Sequence, residues 1–245
     1  MRSDFSYCPS CGGKVIRNRL TLKNIWEDLK FQVFDLDNTL LKTFKHLFTK
    51  PEVVVESYIS GARKKYMNPV SFFAIAITLS GVLFFVLRDI YELDITKSSF
   101  SNADSPNMDF VFDYQAILSY LNVPIYAVLT WLLFLDKNKL NYTEHLVTNA
   151  YTTGQASFVQ VALGLILFSI FDLQFETFNW FFLLGSIIYQ FYVFKRIHKT
   201  GIASTILRAF AYFFMMLIVF IGIGILVVLI GFISGNLSLE DFRPK

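Results

Sequence analysis

From residue 69 onward the chain is dominated by long apolar runs, at 69–87, 115–135, 146–171, 177–194 and 209–233, separated by polar gaps. An α-helix rises about 1.5 Å per residue, so ~20 apolar residues are needed to cross a hydrocarbon layer roughly 30 Å thick. The five runs meet or approach that length, and each predicts a transmembrane helix. Ahead of them, residues 1–68 are polar and basic and follow a different rhythm. A loop is expected at 7–13, followed by short amphipathic helices. One fits 21–34, with Ile25, Trp26, Leu29 and Val33 on a single face. A second fits 39–48, where Leu40, Leu41, Phe44, Leu47 and Phe48 share one side and Lys42, Lys45 and His46 take the other. Thr49 and Glu52 have capping-box spacing with Pro51 in the first turn, which predicts a third helix ending at Ser60 and Gly61. Basic helices of this kind either lie flat among lipid headgroups or pack on one another and on the cytoplasmic ends of the bundle. The pattern therefore predicts an all-α integral membrane bundle of five transmembrane helices at 69–245, preceded by a cytoplasmic region of short amphipathic helices at 1–68.

Composition agrees with a membrane protein, since 54% of the 245 residues are apolar, 28 are Phe and only 17% are charged. Lys and Arg then set the orientation, because short loops rich in these residues stay in the cytoplasm. Placing the N-terminus inside puts 18 of the 22 Lys and Arg on the cytoplasmic side. The gap at 88–114 has two of them against six acids and belongs outside, as does the C-terminus. The N-terminus has no basic region followed by an apolar stretch, so a cleavable leader is not expected.

Few residues offer chemistry. Cys8 and Cys11, with Pro9, Ser10, Gly12 and Gly13 around them, have the form of a zinc knuckle, two thiolates that hold one side of a tetrahedral Zn²⁺. The chain has two cysteines, and His46, His145 and His198 lie far from them in sequence. The open alternatives are a metal-free knuckle, a structural zinc site completed by a second copy, and a redox pair; zinc is the cofactor considered. The string Val33 to Leu41 resembles the first motif of the haloacid-dehalogenase phosphatases, which would make Asp35 a nucleophile and Asp37 a general acid. That fold needs a soluble α/β domain far longer than the stretch between Thr39 and the first run, and the same letters serve as a helix cap.

On the third run His145, Asn149, Thr153, Ser157, Gln160 and Gly164 recur every three or four residues as a polar stripe, with Glu144 at its mouth and Gln190 on the fourth run as its nearest helper. Within a bilayer such a face turns inward, to bond neighbouring helices or to line a water-filled path.

The cysteine start, the string LLKTFKHLFTKP at 40–51, the string ESYISGARKKYMNP at 56–69 and NYTEHL at 141–146 together resemble a bacterial multi-pass membrane-protein family of unknown function. The resemblance covers 7 to about 160 and implies a bacterial inner (plasma) membrane location with a cytoplasmic N-terminal region; it implies no reaction. Within it, Arg63, Lys64 and Lys65 are expected at headgroup level with Tyr66 in the interfacial aromatic belt, and Pro69 opens the first span. The expected partners are the lipid bilayer and either a second copy or other membrane proteins, and nothing points to nucleic acid. No triad, intramembrane acid pair or complete metal site is visible. The expected class is a non-enzymatic scaffold, regulator or assembly component. The competing class is a small transporter or channel subunit that uses the polar stripe.

Overall fold

The structure, a computed structural model, describes residues 39–61, 65–91, 115–171 and 175–233. Cys8, Cys11, the expected helix at 21–34, Asp35, Asp37, Arg63, Lys64, most of the acidic gap and the C-terminal tail lie outside the described residues. Among the described residues there are seven α-helices and no strand. They are α1 (39–49), α2 (Pro51–Ile59), α3 (Pro69–Phe85, continued by a π-helical turn at Val86–Ile90), α4 (Gln115–Leu133), α5 (Tyr142–Ile170), α6 (Phe175–His198) and α7 (Ile202–Ile233).

Among the described residues, four stretches are long and apolar enough to cross a membrane by length and composition: Pro69–Ile90, Tyr142–Ile170, Phe175–His198 and Ile202–Leu226. The apolar stretch Ser119–Leu133 of α4 is shorter than that. The whole of α4 has 19 residues and occupies the run expected as the second span. It also carries Pro124 inside the helix, which removes one backbone donor.

Local chemistry explains where the elements begin and end. Asn68 caps α3 by accepting the Val70 N–H at 2.9 Å, with Pro69 in the first turn, where a missing N–H leaves nothing unpaired. α5 starts four residues earlier than the apolar run because Asn141 and Glu144 form a complete capping box, each side chain accepting the other's backbone N–H at 2.8–2.9 Å. Glu144 therefore caps the helix that carries the polar stripe. The capping box expected at Thr49 and Glu52 does not form. Lys50 is the N-cap residue of α2, Thr49 donates back to Lys45 O, and the Glu52 carboxylate is taken by Arg196. Gly61 adopts φ +94° after α2, a left-handed turn that a Cβ would strain.

Gly154 lies against Phe72 and Phe73, and Gly164 against Leu83, so α3 and α5 run parallel at close range. Asn149 bonds Gln190 while Phe168 packs on Phe178, which makes α5 and α6 antiparallel. α7 packs chiefly on α4 and α6 and leaves most of its apolar surface exposed.

Of the two arrangements open to the short basic helices, α1 and α2 adopt packing on the bundle. Leu47, Val54 and Val55 are fully buried in one core with Tyr66, Met67, Phe72, Tyr151, Val193 and Ile197. Three carbonyls near the end of α1 accept side-chain donors from the bundle: Phe44 O from Gln155, Leu47 O from Tyr189, and Phe48 O from Tyr192, at 3.0–3.1 Å. A helix end leaves its last carbonyls without intrahelical partners, and at Leu47 and Phe48 the two tyrosine hydroxyls take the place of water.

Candidate functional site

The polar cluster of the bundle forms where α4, α5 and α6 meet. Asn149 is fully buried, and its side-chain amide donates to Thr130 Oγ1 at 2.8 Å and to His145 O at 2.8 Å, while its Oδ1 accepts from Gln190 Nε2 at 2.7 Å. Thr130 Oγ1 donates to Tyr126 O at 2.8 Å and lies 3.1 Å from His145 Nδ1. With the hydroxyl proton on Tyr126 O, His145 bears its proton on Nδ1 and donates it to Thr130. Each of three helices thus contributes a polar side chain, and the groups satisfy one another, as groups removed from water must.

An aromatic stack adjoins the cluster. His145 stacks on Phe194 with ring centroids 5.3 Å apart, and His198 stacks on Phe134 at 4.4 Å. The Arg208 guanidinium sits 4.8 Å from the Phe134 centroid and pairs with Asp136 through two hydrogen bonds of 2.7–2.8 Å; it also donates to Leu133 O. This guanidinium holds the Asp136 carboxyl below its ordinary value of 3.8. Both ring nitrogens of the buried His198 are without a protein partner. Two histidines stacked among phenylalanines lack the carboxylates and third donor that would make them a metal centre, and among the described residues no group of three or more metal-ligating side chains is assembled.

The predicted stripe divides. His145, Asn149 and Ser157 are buried, and Gly164 faces α3, but Thr153 and Gln160 are half-buried and stand apart from the cluster. Thr130, which joins the cluster from α4, was not foreseen; its signal is the one hydroxyl among the apolar residues 127–135.

A second concentration of polar groups surrounds Tyr66. This ring is only 4% exposed, turned inward and not lying at the surface, and its hydroxyl meets His46 Nδ1 at 2.7 Å. Lys42 and Lys65 each place an ammonium 5.5 Å from the Tyr66 ring centroid. Desolvation, and then Lys42, Lys50, Lys45 and Lys65, hold His46 below its ordinary 6.5. No ion pair among the described residues takes up any of these four lysines. α2, by contrast, is clasped by two: Glu52 to Arg196 and Glu56 to Lys139 at 2.7–2.9 Å.

A family model described as a protein of unknown function (DUF3667) matches residues 37–81, the stretch that holds α1, α2 and the first part of α3. No curated protein and no solved structure matches the chain.

Proposed function

We propose that this chain is a non-enzymatic multi-pass protein of a bacterial inner membrane that acts as a scaffold or assembly component. One observation carries the reading: His145 and Asn149 of α5 are bonded to Thr130 of α4 and Gln190 of α6, and every polar atom of Asn149 is engaged. A conduction path needs polar groups that remain available to a passing ion or solute, whereas here they serve as glue between helices. The test is reconstitution into vesicles. Vesicles carrying the protein should be no more permeable to protons, potassium or small anions than empty ones, while gentle detergent extraction should yield a complex larger than one chain. A solute flux that Asn149→Leu or Gln160→Leu abolishes in a folded, inserted protein would replace this reading with transport.

The reading includes five crossings, with α4 as the second. Parallel α3 and α5 support this, because the chain leaving α3 must come back across before α5 can start on the same side. Within this arrangement Lys65 and the lysines of α1 lie at the inner headgroups. Cys8 and Cys11 fill half of a tetrahedral zinc site, so a structural zinc would link two copies. In that case Cys8→Ser with Cys11→Ser should remove the zinc and the dimer together, and equal zinc content in variant and parent would eliminate the link.

A further inference from the structure

The stretch 39–69 carries Lys42, Lys45, Lys50, Arg63, Lys64 and Lys65 against two acids, Glu52 and Glu56. Both acids are committed to distant cations, Glu52 to Arg196 and Glu56 to Lys139. Among the described residues no carboxylate pairs with Lys42, Lys45, Lys50 or Lys65, so positive charge accumulates here without compensation.

Two of these lysines are gathered at one place. Lys42 stands on α1 and Lys65 follows α2, yet both ammonium groups lie 5.5 Å from the centroid of the same ring, Tyr66. No more than twice that distance can separate them. The ring is buried and pinned: its hydroxyl meets His46 Nδ1 at 2.7 Å, and His46 follows Lys42 by four positions on the same face of α1. Beside it, the Met67 N–H donates to Thr43 Oγ1 at 2.9 Å, and Met67 O accepts from the Tyr151 hydroxyl at 2.6 Å. Segment 65–67 is thereby tied to α1 and α5, which fixes the two lysines relative to each other. An ammonium has three N–H groups, and the face of a phenol ring attracts its charge without neutralising it. The pair is therefore held together and still has donors to offer an anion.

We infer that Lys42 and Lys65, gathered at Tyr66, form a discrete site for one phosphate group, borne by a phospholipid or by a soluble ligand. A phosphate matches the charge of two ammonium groups and has oxygens enough to accept from both. A basic helix drawn to a headgroup layer uses all its lysines alike, whereas here the ring singles out two of four. Tyr66 stands three positions before Pro69, where α3 begins, so a phospholipid source rests on the membrane arrangement proposed above, while the phosphate site itself does not.

The experiment is titration calorimetry of the full chain in neutral detergent, with inorganic phosphate and, separately, with short-chain phosphatidic acid. One bound molecule per chain is expected. Lys42→Gln with Lys65→Gln should weaken binding on the order of 30-fold, at about fivefold for each lysine. Lys45→Gln with Lys50→Gln removes the same charge and should weaken it by less than about fivefold. All four lysines are exposed, and thermal midpoints check that the variants fold. If the first double variant does not fold, Lys65→Gln against Lys45→Gln makes the same comparison. Equal effects of the matched variants would reduce the site to a diffuse basic surface and overturn the proposal, as would no binding of either probe. Tighter binding of phosphatidic acid than of phosphate identifies a lipid source, and equal affinity a soluble one; both sustain the site. If alkaline carbonate strips the chain from vesicles, the membrane reading falls and inorganic phosphate alone decides the site.

Discussion

Asn149 has a short side chain with donors and an acceptor, and all of it is engaged inside the bundle. Asn149→Leu keeps the volume but strands Gln190 and Thr130, and an unpaired buried polar group costs about 1–3 kcal/mol. Thermal unfolding in detergent should show a loss in this range, and an unchanged midpoint would mean that the cluster contributes nothing to stability. Glu52 offers a test by pH. Its hydrogen bond from Arg196 holds the carboxyl below its ordinary 4.5. A depressed carboxyl contributes stability that is present above the ordinary value and disappears as pH falls through the depressed one. Amide exchange in α2, divided by the intrinsic rate at each pH, should therefore be steady above pH 4.5 and quicken in acid. Arg196→Met should speed it at neutral pH by a few-fold, the scale of an exposed ion pair, and flatten the acid step. Exchange that ignores both changes would remove the clasp. His46 follows the same sign rule: its value is held below 6.5, so stability tied to the neutral ring is present above 6.5 and lost as pH falls through the lowered value.

At the scale of elements, the closest approach is between α3 and α5. A Cβ at Gly154 would lie 3.1 Å from Phe72 Cδ1 and 3.2 Å from the Phe73 Cα, and backbone has little room to yield. Gly154→Leu should separate the two helices and cost roughly 1–3 kcal/mol or more through overpacking, whereas Gly185→Ala should change stability little. Equal midpoints for the two variants would show that α3 and α5 are not held at this distance. The polar stripe shows why helix periodicity read alone succeeds only in part. Residues three or four apart drift around the helix, and at about 100° per residue the stripe turns by roughly 100° between His145 and Gly164. Its lower end consequently meets Thr130 and Gln190, while its upper end meets Leu83 of α3. Thr153 and Gln160, in between, meet neither. α1 and α2 were legible as helices from their apolar faces, but which surface covers those faces depends on Tyr189, Tyr192 and Gln155, more than a hundred residues away.

For the whole molecule, the decisive prediction concerns sidedness. A reporter active only outside the cytoplasm should give signal when fused to the C-terminus and none at the N-terminus, as five crossings with the basic gaps inside require. A silent C-terminal fusion would mean that α4 does not complete a crossing. Existence, type and approximate extent of the long helices follow from the sequence alone, because twenty apolar residues in a row have few other places to go and backbone groups in lipid must be satisfied within the helix. The orientation expected from Lys and Arg needs no tertiary information either. Tertiary structure alone decides that α1 and α2 dock on the bundle, that Tyr66 turns inward, that Glu52 answers Arg196 instead of capping its own helix, and that Asn149 is shared among three helices. The physical reason is one of range. Crossing a membrane is a property of consecutive residues, whereas the partner of a buried polar or aromatic group is set by which distant helices meet and at what height.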